Sequence, residues 1–115
     1  MSECVIYYNP RCGTCRNVKA ILESHGVKPR VVTYLETPPS VEELEGILRK
    51  LGAGPEAITR TKEDAWEKHG RPDLPRKEWL QLIVRNPVLL QRPIVVMGDK
   101  AVVARPPEAA EELFR

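Results

Sequence analysis

Cys12 and Cys15 stand three positions apart in "YYNPRCGTCRN", residues 7–17, between an Asn-Pro turn signal and a run with helical spacing. Two thiols so placed can chelate a metal, close a structural bridge or do redox chemistry. A zinc site needs about four ligands, usually as two pairs. This chain offers one pair, Cys4 in an apolar run, His25 in the last turn of a helical stretch and His69 in a polar segment. No metal site is expected. A structural disulfide between Cys12 and Cys15 would close a very small loop and stabilise little.

The redox and nucleophile reading has a physical basis. Cys12 falls just before a first helical turn, where unpaired N–H groups point at its sulfur. The helix dipole and nearby Arg11 and Arg16 favour thiolate over thiol and make Cys12 the better nucleophile. Cys15, at i+3, lies on the same helix face and within disulfide reach. A helix start also binds oxyanions. A thiolate and an anion pocket at one spot suggest attack of sulfur on an oxyanion. Cys4 reads most simply as a small buried apolar residue.

The elements that must position these groups follow from pattern. "CVIYY" (4–8) is a continuous apolar and aromatic run that predicts a buried central strand. "NPRCG" turns the chain into a helix from about 13 to 25, with Val18, Ile21 and Leu22 helically spaced and Gly26 as its stop. "RVVTYL" (30–35) predicts a second strand; the strand–helix–strand order implies parallel pairing. After the loop "ETPPS", Ser40 and Glu43 form a capping box for a helix whose apolar face is Val41, Leu44, Ile47, Leu48 and Leu51. Residues 55–70 read as short, mostly polar helical turns. "RKEWLQLIVRN" (76–86) is another helix, stopped at Asn86-Pro87. "PIVVM" (93–97), the turn "GDK" and "AVVA" (101–104) predict a β-hairpin, and "PPEAAEELF" (106–114) a closing helix that begins with proline. The sum is an α/β fold with a mixed four-stranded sheet, βαβ–helical insertion–ββα, flanked by helices. This is the thioredoxin-like arrangement: one domain over residues 1–115, with an insertion at about 40–86.

Composition bounds the function. At 115 residues with 42% hydrophobic and 30% charged residues, the chain is an ordinary single-core globular mixture. A net charge of +2 gives no reason to expect a nucleic-acid or anionic-membrane partner. No apolar run approaches a membrane span, and "MSECVIYYNP" lacks the basic start and cleavage site of a signal peptide. Three cysteines make no disulfide framework and point to a reducing, cytoplasmic setting. With no apolar face left over, a monomer is expected.

Read together, "YYNPRCGTCRN", "VVTYLETPPS", "AITRTKEDAWEKHG", "LLQRPIVV" and "ARPPE" resemble the arsenate reductases of the ArsC family, and the resemblance runs from Val5 to about Leu113. It implies a thioredoxin fold with no bound cofactor, in which a cysteine reduces arsenate or a similar oxyanion at the expense of an external thiol. By motif the attacking cysteine is Cys12, and the three arginines that hold the oxyanion are Arg60, Arg92 and Arg105. Asn9 joins the site in the family. Guanidinium forks suit this work because they bind the oxygens bidentately without losing charge, and they are also expected to help keep Cys12 ionised. Any single arginine is most simply a solvated surface group. Arg92 and Arg105 stand out because each precedes a proline at an end of the predicted hairpin, the edge that faces the Cys12 helix in a thioredoxin fold. Arg60 rests on the resemblance. Thioredoxin-like folds place a cis-proline beside the active cysteine, and Pro93 is expected to be that residue.

Two departures bear on mechanism. Tyr8 stands where well-studied family members carry histidine, which removes a histidine-based means of lowering the Cys12 pKa. Cys15 stands where they often carry serine. A resolving thiol there would form a Cys12–Cys15 disulfide opened by thioredoxin, whereas without one the reductant would be glutathione and glutaredoxin. Two rival readings come from other classes: a general thiol-disulfide oxidoreductase, and a Spx-like redox regulator that binds RNA polymerase. Neither needs an arginine cage.

Overall fold

The computed structural model describes residues 3–115. The chain divides into two compact units, one formed by the chain through Thr37 together with Arg92–Arg115, the other by Pro38–Gln91.

The first unit holds strand β1 (Cys4–Tyr8), helix α1 (Gly13–Ser24) and strand β2 (Arg30–Thr33). Strands β3 (Ile94–Met97) and β4 (Lys100–Val103) and a 3-10 helix over Pro107–Phe114 complete it. The sheet order is β2-β1-β3-β4. β1 runs parallel to β2, with Tyr8 opposite Thr33, and antiparallel to β3, with Tyr7 opposite Ile94. β3 and β4 form the hairpin. This is the α/β, thioredoxin-like sheet that the sequence pattern predicts.

Strand periodicity explains the core. Alternate residues of β1, Cys4 and Ile6, point to the face that α1 covers with Val18 and Leu22; Val95, Ala104, Ala110 and Leu113 complete the cluster. Each fully buried aliphatic side chain contributes about 1.5–3 kcal/mol, so the β1–α1 seam is a firm base for the loop between them. Cys4 is buried here, and burial pushes its thiol up. It behaves as a small apolar residue. The α1 terminus is closed by Gly26 at φ 77, a left-handed conformation that favours glycine. His25 caps that end, pairs with Glu111 and stacks on Phe114 with ring centroids 3.9 Å apart. The hairpin turns through Gly98 and Asp99, with Gly98 at φ 62, the positive φ that such a two-residue loop requires at its first position.

Two elements differ from the sequence expectation. The closing segment is a 3-10 helix rather than an α-helix. Its buried residues, Ala110 and Leu113, and half-buried Pro107 recur every third position, so a three-residue turn puts all three on one face. β2 stops at Thr33, not residue 35, because the Glu36 and Thr37 amides both donate to the Thr33 carbonyl, at 3.0 and 2.9 Å. Tyr34 therefore begins a turn.

The second unit contains α2 (Val41–Leu51), a 3-10 turn at Pro55–Ile58, α3 (Asp64–His69), α4 (Arg76–Arg85) and a further 3-10 turn at Pro87–Leu89. α2 packs on α4. The Ser40–Glu43 capping box is complete, with the Glu43 amide donating to Ser40 Oγ at 3.1 Å and the Ser40 amide to Glu43 Oε1 at 3.2 Å. The stretch after α2 is less polar in its role than in its composition. Ile58 and Thr59 are buried, the Thr59 hydroxyl donates to the Pro55 carbonyl, and Trp79 Nε1 donates to Thr59 Oγ1 at 2.8 Å. No helix among the described residues is long and apolar enough to cross a membrane.

Replacing Ser40 with alanine removes one side of the capping box. A loss of about 1 kcal/mol is expected, measured as a lowered denaturation midpoint with an unchanged denaturant slope.

Candidate active site

The loop between β1 and α1 is built around Asn9. Its carbonyl accepts the Cys12 amide at 2.9 Å and its side-chain oxygen accepts the Arg11 amide at 3.0 Å, so the chain turns sharply into α1. Cys12 is thereby placed at the N-cap position, with extended backbone. Its side chain is 9% exposed, enough to be reached, whereas Cys15 one turn on is 0% exposed. All three cysteines are free thiols.

Four influences act on the Cys12 sulfur. Burial pushes its pKa up; the Cys15 backbone amide, the Cys15 thiol and the Arg92 guanidinium outweigh burial and bring it down to about 7. Cys12 makes no short capping hydrogen bond, so the Cys15 amide acts as a facing dipole from the open helix end. Arg105 Nη1 lies 3.9 Å from Cys12 Sγ and donates at 2.9 Å to the Arg92 carbonyl, which ties the two arginines together. Cys15 goes the other way. Burial, reinforced by the neighbouring Cys12 charge and only partly offset by the Asn9 backbone and Arg92, pushes it up to about 11. One thiol is poised to ionise at neutral pH, and its neighbour stays protonated as a hydrogen-bond donor.

Of the arginines that the sequence set against Cys12, Arg92 is the one that lowers its pKa. Arg11 is exposed, and the Arg16 guanidinium is engaged by the Pro10 carbonyl at 2.8 Å. Arg92, eighty residues downstream, supplies the charge instead. Its Nε is buried and makes no hydrogen bond to the protein. The Arg92–Pro93 peptide is cis, as is Arg105–Pro106.

Comparison with known proteins then bears on this geometry. The ArsC family model matches residues 7–113. The chain belongs to the ArsC family. An arsenate reductase of Neisseria meningitidis serogroup A is 41% identical over 99% of this chain and 100% of its own length. An Escherichia coli arsenate reductase is 33% identical, covering 99% of this chain and 82% of its own. Among solved structures, an arsenate reductase from Vibrio cholerae superposes with a TM-score of 0.90 at 38% identity, over 96% of this chain and 97% of its own.

For an ArsC-family chain, the first unit thus brings together Asn9, Cys12, Cys15, Arg92, Pro93 and Arg105. Arg60 belongs to the second unit, where its amide donates to the Leu89 carbonyl at 2.7 Å and its guanidinium pairs with Glu63 at 3.0 Å. Tyr34 is a site residue that the sequence did not flag. It is 1% exposed, and its hydroxyl neighbours the Asn9 side chain, Arg92 and both cysteines. In the sequence it looks like any aromatic of a strand run, and only the early end of β2 frees it to turn towards the loop. A cavity of about 700 Å³ also opens in this unit, lined by His25, Val27, Met97 and Phe114. Its only thiol is Cys4, buried and raised in pKa. Among the described residues, no group of three or more His, Cys, Asp or Glu side chains could hold a metal ion.

Because a lowered pKa favours the thiolate, Cys12 reactivity is present above its folded pKa and lost as pH falls through it. Alkylation of Cys12 by iodoacetamide, followed by peptide mass spectrometry, is expected to show a midpoint near pH 7, below the ordinary thiol value of about 8.5. Cys15 is expected to stay unmodified over the same range, and Arg92→Ala to move the Cys12 midpoint upward.

Proposed function

We propose that this protein is an arsenate reductase in which Cys12 is the nucleophile. The observation that carries the reading is a single ionisable thiol at a helix start with two arginines converging on it. Disulfide exchange needs no such cage, and a tetrahedral oxyanion does. The buried, unbonded Nε of Arg92 supports the same view, since its remaining donors suit an anion. The nearly full-length likeness to arsenate reductases supports arsenate as the substrate.

The proposed reaction is stepwise. Arsenate enters against Arg92 and Arg105, with Asn9 ordering the loop, Pro93 shaping the adjacent wall and Arg60 assisting as the family motif implies. The Cys12 thiolate attacks arsenic and an arsenate oxygen leaves as water after protonation, giving a Cys12 S–As(V) ester. A second thiolate attacks the Cys12 sulfur; a disulfide forms, the S–As bond breaks, and its electron pair stays on arsenic. Arsenite, As(III), departs. Two thiols have lost one electron each, and a further thiol reduces the disulfide.

The second thiol is external glutathione with glutaredoxin, or Cys15 with thioredoxin reopening the Cys12–Cys15 bond. No resident cofactor is required. The chain works in the cytoplasm as a monomeric, single thioredoxin-like domain, with Pro38–Gln91 as its helical insertion. A general thiol-disulfide oxidoreductase is the second reading, favoured by the split between Cys12 and Cys15.

Steady-state arsenate reduction with thioredoxin and glutaredoxin systems side by side separates these readings. Cys12→Ser is expected to abolish turnover. Arg92→Ala is expected to weaken arsenate binding about ten- to a hundredfold, the loss of a charge-assisted hydrogen bond of about 1.5–3 kcal/mol. No arsenate turnover with either system, alongside efficient reduction of a model disulfide, would overturn the main reading. Mass spectrometry of the oxidised protein identifies the second thiol: a Cys12–glutathione adduct with Cys15 free rules out a resolving role for Cys15.

A further inference from the structure

Tyr34 has no part in the reaction just described, yet it is fully buried beside it. Four observations locate it. β1 and β2 are parallel and in register up to Tyr8 opposite Thr33, so the next residues along the two strands, Asn9 and Tyr34, leave the sheet side by side. The turn on the Thr33 carbonyl ends β2 at that point. Tyr34 is among the largest fully buried side chains of the protein. After burial, the Arg92 charge and the Asn9 side chain are among the influences on its hydroxyl.

Asn9 is the hub of the Cys12 loop. Its backbone carbonyl holds the Cys12 amide and its Oδ1 holds the Arg11 amide, while its backbone also pulls the Cys15 pKa down. Because Oδ1 is committed to Arg11, the carboxamide has its nitrogen left to turn towards Tyr34. An amide nitrogen donates, and the phenol oxygen accepts. Rotating that carboxamide away would release the Arg11 amide and loosen the turn that sets Cys12 at the helix start.

We infer that Tyr34 is a positioning residue: its phenol oxygen fixes the Asn9 carboxamide and thereby holds the Cys12 loop where the Cys15 amide and Arg92 face the sulfur. Burial raises the Tyr34 pKa, so the group remains a neutral phenol at working pH and adds no negative charge against the thiolate. A phenylalanine would fill the same space and lack only the acceptor oxygen.

The test is Tyr34→Phe in the full-length protein, read by three measurements. The Cys12 alkylation midpoint is expected to rise from about 7. The KM for arsenate is expected to rise about fivefold, the scale of one neutral hydrogen bond, with kcat less affected. The melting temperature reports on folding. The alkylation midpoint needs no arsenate, so it tests this inference even if the arsenate reading fails; only the KM arm rests on that reading.

A double-mutant cycle with Asn9→Ala makes the assignment specific. If Tyr34 acts through Asn9, Tyr34→Phe adds no further midpoint shift in the Asn9→Ala background. An unchanged midpoint in a well-folded Tyr34→Phe protein would overturn the inference, as would shifts that simply add in the double variant. Should Tyr34→Phe fail to fold, Tyr34→Leu, which also lacks the phenol oxygen, is read by the same alkylation midpoint, with a raised midpoint expected and an unchanged one against the inference.

Discussion

The state of one sulfur atom governs this site. Burial alone would keep Cys12 a thiol, and an exposed cysteine would ionise with little control over what it meets. The protein takes a middle course, with the sulfur mostly covered and its desolvation outweighed by an amide, a neighbouring thiol and a guanidinium. The compensating groups come from two distant parts of the chain. The amide and thiol come from α1, while Arg92 arrives with the strand hairpin. The sheet has to bring these segments to one edge, and the β2-β1-β3-β4 order does so by placing β1 between β2 and β3.

The same local field divides two chemically identical side chains. Cys12 and Cys15 are one helical turn apart, yet their pKa values separate to about 7 and about 11. The cause is mutual. A protonated Cys15 donates towards the Cys12 sulfur and lowers it, and the resulting negative charge makes a second ionisation harder. Such a pair holds one proton fewer than two thiols, and position relative to the helix end decides which sulfur loses it. Cys15 is also fully enclosed, so any chemistry it performs must follow a change in Cys12 first.

Much of this architecture was legible in the residues. Periodicity found β1, α1, the capping box at Ser40 and the hairpin because each is local: alternation, helical spacing and glycine stops act within a few residues. The CxxC at a helix start was legible for the same reason. Three features were not. Arg11 and Arg16 looked like the charges on Cys12 because they are near in sequence, whereas Arg92, the guanidinium that acts, was visible only through the family resemblance. The last segment is a 3-10 helix because its apolar residues recur every three positions, a spacing that an α-helix also tolerates. Tyr34 was hidden because a tyrosine at the end of a strand run carries no sign of where its hydroxyl will lie. In each case the deciding fact is tertiary.

That division explains why Asn9 was noticeable while its role was not. An Asn-Pro pair before a helix reads as a turn, and the turn is there. What the sequence cannot express is that the turn residue's carbonyl and side-chain oxygen are engaged at once, by the Cys12 and Arg11 amides. A loop residue so engaged has little freedom, so the loop can be short and still precise. The ionisable sulfur thus depends on the helix start for its place and for the Cys15 amide and thiol, and on the segment before β3 for Arg92.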